Sequence, residues 1–408
     1  MGFSFRRLVI GVLLSNIAGG VLFVVLPLMV LRRDSGPLLA TLIIVAPLLA
    51  QTLASFGWGA LSDHRGRRRE IMVAGAIGAA VLYLFFPLAS PTVLLLLRTL
   101  QAALLATSTL VYALTSEGTT GTVGSRLGNM MMWGNVGQLI GVLAVFPLLT
   151  LTTLDSTLGW ELVGVLSGAT ALSALFLATA GDLPRARAEV SLGTVLQFRR
   201  QRPVAFLSLA TFPLAVGNYA AYTTLPVYLN DGLGKGGFFG MPLSPVQQLG
   251  LFTIATTIIA IPYCLWAGDL VEGIFARRLA LVLTPLLYAG FWLAYTLSTS
   301  YLVFFVVWAI PLYPLLSIAA TRELSDLTAP GERGRGIGLW TAVYTLGGLV
   351  GGVLAGLALE AGESYQLVFL QATVLAASGA LTYGLVIART LRFRFRGPTD
   401  RTDAHPPT

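Results

Sequence analysis

The chain has 408 residues, 55% of them apolar and only 11% charged, where a soluble domain carries about 25% charged residues. Its formal charge is +8, its one cysteine is Cys264 and its two histidines are His64 and His405, so an internal disulfide and a Cys/His zinc site are both out of reach. Redox and metal chemistry find no support, and the bilayer is the solvent this composition calls for.

The first apolar stretch, 8–31, holds 24 residues. At about 1.5 Å per residue it reaches roughly 36 Å, enough to cross a hydrocarbon core of about 30 Å with some tilt. It is too long for a signal-peptide core and no small-residue cleavage site follows it. Pro27 and the pair Arg32 and Arg33 close it, so it reads as a permanent span with no cleavable leader. Arg6 stands where a myristoylation pattern needs Ser or Thr. Further spans are predicted at 37–61, 70–89, 91–116, 127–150, 159–180, 203–229, 246–267, 277–298, 301–321, 336–359 and 365–388, which makes twelve. In hydrocarbon each backbone group must pair within its own segment, so these are helices; barrel strands of about ten residues with alternating polarity are not present. The expected fold is an all-α polytopic membrane protein.

With the N-terminus placed inside, the inner segments collect Arg6 and Arg7, Arg65 and Arg67 to Arg69, Arg126, the linker arginines from Arg185 to Arg202, Arg277 and Arg278, Arg322, Arg333 and Arg335, and the five from Arg389 to Arg401. Only Arg32, Arg33 and Lys235 fall outside, and Arg98 falls within a span. Positive charge gathers on the cytoplasmic side of membrane proteins, so both termini are expected in the cytoplasm of a cell-membrane protein. The same distribution explains the high pI without nucleic acid as a partner.

The inner connection 181–202 is rich in arginine and divides the spans six and six. The expected organisation is therefore a six-helix bundle over 1–180, a cytoplasmic linker over 181–202, a second bundle over 203–390 and a tail over 391–408. From Ser191 the linker reads equally well as a short amphipathic helix, with Leu192, Val195 and Leu196 toward lipid, or as a solvated connection. The glycine-rich outer segment 230–245 reads as a slack loop in preference to a lid.

Between spans two and three, Gly57-Trp58-Gly59-Ala60-Leu61-Ser62-Asp63-His64-Arg65-Gly66-Arg67-Arg68-Arg69 closely resembles the signature loop of the major facilitator superfamily, Gly-x-Leu-x-Asp-x-x-Gly-Arg-Arg. Gly59, Leu61, Asp63, Gly66, Arg67 and Arg68 match it. Glycine permits a tight turn, and a carboxylate at a helix end can meet a facing helix N-terminus. A positive-inside loop alone would explain the arginines but not Asp63 at that offset from two glycines. In span four, Arg98-Thr99-Leu100-Gln101-Ala102 resembles the family's Arg-x-x-Gln-Gly motif, with Ala102 in place of glycine. A span arginine costs about 2.5–3.5 kcal/mol on insertion scales and should face protein or a watery cavity. Gln101 lies one turn away on its face. Glu117 stands where the family often keeps an acid, and the resemblance implies Arg67 or Arg68 as its partner.

The second half repeats the plan at an offset of 209 or 210 residues. Gly268 to Glu272 overlays Gly59 to Asp63, Arg277 and Arg278 overlay Arg68 and Arg69, and Asp326 overlays Glu117. Phe275 stands where Gly66 would be, so the copy is incomplete. Gly347 to Gly351 overlays Gly137 to Gly141. Such a repeat implies two pseudo-symmetric six-helix bundles. The small-residue face of span five, Gly128, Gly134, Gly137 and Gly141, is accounted for by close helix packing. The drug/proton antiporter branch of the family shows Gly-Pro there, whereas here Gln138 follows Gly137.

The resemblance implies a secondary transporter working by alternating access, with Gly59, Asp63, Gly66, Arg67, Arg68, Glu117 and Asp326 forming the conformational switch. Candidate cavity residues are Asn16, Gln51, Arg98, Gln101, Asn135, Gln138, Asn218, Tyr222, Trp308, Tyr313 and Tyr344; each alone is more often a helix-to-helix hydrogen bond or a packing aromatic than a ligand contact. All 18 acids lie in loops or near span ends, so the expected solute is neutral or anionic. Separately, the expected direction is export. Uptake and lipid movement are the rivals within this fold. An intramembrane enzyme is the rival outside it, and the paired catalytic groups it needs are absent from the spans. Expected partners are the solute, membrane lipid and a coupling proton, with a monomeric chain and no cofactor.

Overall fold

The computed structural model describes residues 4–32, 36–65, 68–108, 110–111, 115, 123–151, 160–180, 202–231, 243–328 and 333–395. In the first half the helices are α1 (Phe5–Arg32), α2 (Pro37–Arg65), α3 (Arg68–Tyr83), α4 (Pro91–Leu105), α5 (Val123–Leu151) and α6 (Trp160–Thr179). The second half contains α7 (Arg202–Ala210), α8 (Phe212–Asp231), α9 (Pro245–Leu270), α10 (Ile274–Leu297), α11 (Tyr301–Trp308), α12 (Leu312–Leu327), α13 (Arg333–Glu360) and α14 (Tyr365–Phe395). Eleven stretches among the described residues are long and apolar enough to cross a membrane, with α7–α8 and α11–α12 each counting as one, and α4 is a shorter apolar helix. These are the twelve predicted spans.

The seventh and tenth are interrupted at proline, and in the fourth, predicted over 91–116, the α-helix ends at Leu105 and a 3-10 turn follows at Ala106–Ser108. Pro213 in the first turn of α8 has no N–H to continue the helix from α7. The Ala210 carbonyl at that break instead accepts from Thr382 Oγ1 at 3.0 Å. The tenth span breaks over 309–311, ahead of Pro311, and the Trp308 carbonyl accepts from Thr256 Oγ1 at 2.6 Å. Freed carbonyls inside a membrane protein need such partners, which is why both breaks face other helices rather than lipid. Pro27, Pro47, Pro226, Pro262 and Pro285 lie within unbroken helices. The third span stops as an α-helix at Tyr83, short of the predicted 89, and a 3-10 turn at Phe86–Leu88 containing Pro87 completes it.

Packing repeats between the halves. α1 lies on α5 and α6, α3 on α6 and α2 on α4, and the same pairings recur as α8 on α13 and α14, α10 on α14 and α9 on α12. The two halves meet through α5 on α9 and α2 on α13. Charge marks one end of the bundle. There Arg7 donates to the Thr179 carbonyl at 2.8 Å, the Arg126 guanidinium lies 5.6 Å from the Phe5 ring centre, and the Gly124 N–H donates to Glu272 at 2.8 Å. We refer to this as the arginine-rich end and to the opposite one as the far end.

Backbone proximity holds the paired helices. A Cβ placed on Gly141 would lie 2.1 Å from the Ile17 carbonyl oxygen, and one on Gly351 would lie 2.0 Å from that of Val216, so each position admits only glycine without displacing a helix. Replacing Gly351 by Val should therefore cost at least the about 1–3 kcal/mol typical of overpacking and lower the thermal midpoint of the purified protein. Gly164→Ala, at a position where a Cβ meets nothing within 4 Å, should leave the midpoint in place. Equal midpoints for both variants would show that this contact does not hold the bundle.

Candidate functional site

A cavity of about 650 Å³ lies between the two halves, walled by side chains from both. All eleven residues singled out in the sequence line it: Asn16 on α1, Gln51 on α2, Arg98 and Gln101 on α4, Asn135 and Gln138 on α5, Asn218 and Tyr222 on α8, Trp308 ending α11, Tyr313 on α12 and Tyr344 on α13. Arg98 is the only charged side chain lining it among the described residues.

The polar groups are held in different ways. Arg98 Nη1 donates to Gln101 Oε1, and Gln101 Nε2 donates to the Tyr83 hydroxyl at 2.7 Å. Gln101 and Tyr83 are both fully buried, so the amide is fixed with its oxygen toward the guanidinium. No carboxylate among the described residues reaches Arg98, and its remaining donors are left for a ligand or water. Asn16 Nδ2 donates to the Val12 carbonyl at 2.8 Å, within its own helix. Asn135 Nδ2 donates to the Met131 carbonyl at 2.9 Å and to Cys264 Sγ at 3.4 Å across the α5–α9 contact. Asn218 Nδ2 donates to the Tyr344 hydroxyl at 3.3 Å. The side-chain amides of Gln51 and Gln138 have no hydrogen-bond partner among the described residues, which leaves them free for a solute.

The structure adds residues that sequence reasoning passed over. Thr253, Thr256 and Thr257 on α9 and Tyr288, Phe291 and Trp292 on α10 line the cavity, as does Tyr219 beside Asn218. The signal was helical spacing: each trio sits at i, i+3 and i+4, one face of a helix. Threonine and aromatic residues are common in spans, so their type alone gave no warning.

At the arginine-rich end the second-half copy of the signature loop joins the halves. Glu272 Oε1 accepts from the backbone N–H groups of Gly124 at 2.8 Å and Ser125 at 3.4 Å, and Asp269 accepts from Ser125 Oγ at 2.7 Å. Two carboxylates thus cap the N-terminal turn of α5, where free N–H groups and the helix dipole favour negative charge. Arg322 Nε donates to Glu272 at 3.2 Å and its Nη1 to Asp326. Arg277, 2% exposed, donates to Glu323 at 2.6 Å and to Asp326 at 2.8 Å, and Arg278 donates to Glu323 at 3.0 Å. Asp326 thus meets the arginine that overlays Arg68. Of the first-half switch residues, Gly66, Arg67 and Glu117 lie outside the described residues, and Gly59, Asp63 and Arg68 are placed on α2 and α3 with their side chains outside them.

At the far end the halves meet through small residues. The Leu38 N–H donates to Glu360 Oε2 at 3.3 Å, and the Thr52 and Thr345 hydroxyls hydrogen-bond to each other nearer the middle. The two halves therefore meet differently at the two ends, through charge at one and through close packing at the other.

Losing the Glu272 charge should loosen the first of them. A charged hydrogen bond is worth about 1.5–3 kcal/mol, so Glu272→Gln should raise the alkylation rate of Cys264 by roughly tenfold or more. Cys264 is the only cysteine of the chain and is buried at this contact. An unchanged rate would mean that Glu272 does not hold α5 against α9.

A search of curated proteins by sequence finds no match. Solved structures do match in fold. A crystal structure of the nucleoside transporter NupG aligns with a TM-score of 0.68 at 14% identity, covering 94% of this chain and 98% of that one. The E. coli fucose:proton symporter FucP aligns at 0.68 with 16% identity over 94% and 98%. The human organic anion transporter MFSD10 aligns at 0.67 with 18% identity over 93% and 98%. The family model described as Major Facilitator Superfamily matches residues 8–322. Helix count, repeated packing and this match over most of the sequence agree, and the chain belongs to the Major Facilitator Superfamily of membrane transporters.

Proposed function

We propose that this protein is a secondary active transporter that moves a small neutral or anionic solute by alternating access, with export as its working direction. Two bundles, 1–180 and 203–390, rock about the cavity, with 181–202 as a cytoplasmic linker, 391–408 as a cytoplasmic tail and a single chain as the working unit in the cell membrane. An alternating-access carrier is reversible and its net direction follows the imposed gradients, so transport is to be measured in both orientations.

The observation that carries the substrate reading is the charge of the cavity: Arg98 lines it, and no carboxylate does among the described residues. A cationic solute there finds no counter-charge and meets repulsion, whereas an anion finds the free donors of a guanidinium. Family membership supports the transport reading over the enzymatic one. A coupling proton, in this reading, is carried by an acid near a span end, such as Glu117 or Asp269, since none lies in the cavity wall among the described residues. The switch motif, in the same reading, closes the arginine-rich end, and the capping of α5 by Glu272 and Asp269 supports that role for its second-half copy.

At about 6 Å and an effective dielectric near 20, a unit charge interacts with Arg98 by about 2.8 kcal/mol, roughly a hundredfold in affinity. Arg98→Ala should therefore weaken an anionic solute by up to about a hundredfold and leave a neutral one little changed, measured by binding and counterflow in proteoliposomes. Tight transport of a quaternary ammonium compound, unchanged by Arg98→Ala, would overturn the reading.

A further inference from the structure

The two walls of the cavity differ in kind. Of the six amide side chains lining it, five come from the first half and Asn218 alone from the second. Aromatic rings divide the opposite way: Phe23 and Tyr83 come from the first half and eight rings from the second. Within that second-half wall, Tyr219 and Tyr222 are partly exposed and Tyr313 is 41% exposed. Behind them Trp308, Tyr344 and Tyr288 are 7%, 4% and 7% exposed. The front rings are fixed by their neighbours: Tyr222 stacks on Trp308 at 5.4 Å and 19° and also meets Phe23 of the first half at 5.1 Å, Tyr219 meets Tyr344 edge-on at 5.7 Å, and Tyr313 lies 5.6 Å from Tyr344. Rings held in this way offer faces and edges at little further cost in side-chain freedom.

Such a wall suits a flat ring, and alone it would also suit a cation, since an aromatic face attracts positive charge. Arg98 decides between the two. It is the cavity's single charged group among the described residues, held by a Gln101 amide that is itself held by Tyr83. A guanidinium presents paired N–H donors that match the two oxygens of a carboxylate. The volume of about 650 Å³ falls within the roughly 300–1,000 Å³ of small-molecule pockets.

We propose that the solute is an aromatic monocarboxylate, its carboxylate at Arg98 and its ring against Tyr222 and Tyr313. This rests on the reading of the cavity as an anion site and narrows it to ring-bearing acids. The N-half amides then serve the polar substituents near the carboxylate, and the C-half rings serve the apolar body.

The test uses the full chain in lipid nanodiscs and four probes: 2-naphthoate, 2-naphthylmethanol, octanoate and 2-naphthyltrimethylammonium, with binding measured by calorimetry. Naphthoate should bind about tenfold or more tighter than the alcohol and the ammonium. It should also bind about fivefold tighter than octanoate. Arg98→Gln should bring naphthoate to the level of the alcohol. Tyr222→Leu and Tyr313→Leu, each made separately so that one misfolded variant does not decide the result, should weaken naphthoate about fivefold and leave octanoate unchanged. If octanoate matches naphthoate and both depend on Arg98, the aromatic assignment falls while the anion reading stands. If the alcohol or the ammonium matches naphthoate and Arg98→Gln changes nothing, both fall. Failure of every probe to bind overturns the aromatic proposal.

Discussion

Arg98 lies within a membrane span with no carboxylate partner among the described residues, and an uncompensated guanidinium there costs about 2.5–3.5 kcal/mol on insertion scales. The surrounding structure reads as the set of conditions that make this tolerable. Gln101 accepts one of its hydrogen bonds and is oriented by Tyr83. Its other donors belong to a cavity walled by amides and phenols rather than to lipid. Acids that would neutralise it are instead found at the helix ends.

That separation of charge assigns work to two places. Carboxylates gather at the arginine-rich end, where Glu272 and Asp269 cap α5 and Glu323 and Asp326 hold Arg277. Of these, the capping of α5 by Glu272 and Asp269 crosses between the halves, and separating it leaves charged groups without their partners. At the far end a different pair of helices, α2 and α13, meets through glycine, threonine and one backbone hydrogen bond to Glu360. A closure of that kind opens without stranding a buried charge. In the proposed cycle the two closures alternate around a cavity whose own charge never changes sides of the chain.

The spans were legible because charge is so scarce that its positions outline them. The cavity amides were legible because an amide in hydrocarbon needs a partner, so Asn16, Gln51 and Gln138 stood out in apolar runs. Gly347 to Gly351 were legible through the internal repeat, and the structure places Gly351 against Val216; the role of Glu272 was not, because its copy of the loop is broken at Phe275, yet it sits at the N-terminus of α5. The helix breaks were not legible. Pro213 and Pro311 look no different in sequence from Pro226 and Pro262; at the two breaks a distant hydroxyl, Thr382 or Thr256, donates to the carbonyl of Ala210 or Trp308. The aromatic wall was also hidden, because Tyr219, Tyr288 and Trp292 are residue types equally at home against lipid.

The central claim is that the two ends of the cavity close in alternation, and pulsed electron resonance distances test it most directly. In a Cys264→Ala background, one spin-label pair at Ser90 and Glu363 reports the far end, and another at Arg6 and Phe275 reports the arginine-rich end; all four positions are exposed. In nanodiscs, conditions that shift one pair to longer distance should shift the other to shorter distance, with populations that mirror each other. Distances that lengthen together at both ends, or that stay fixed at both ends while solute is being transported, would contradict alternating access around this cavity.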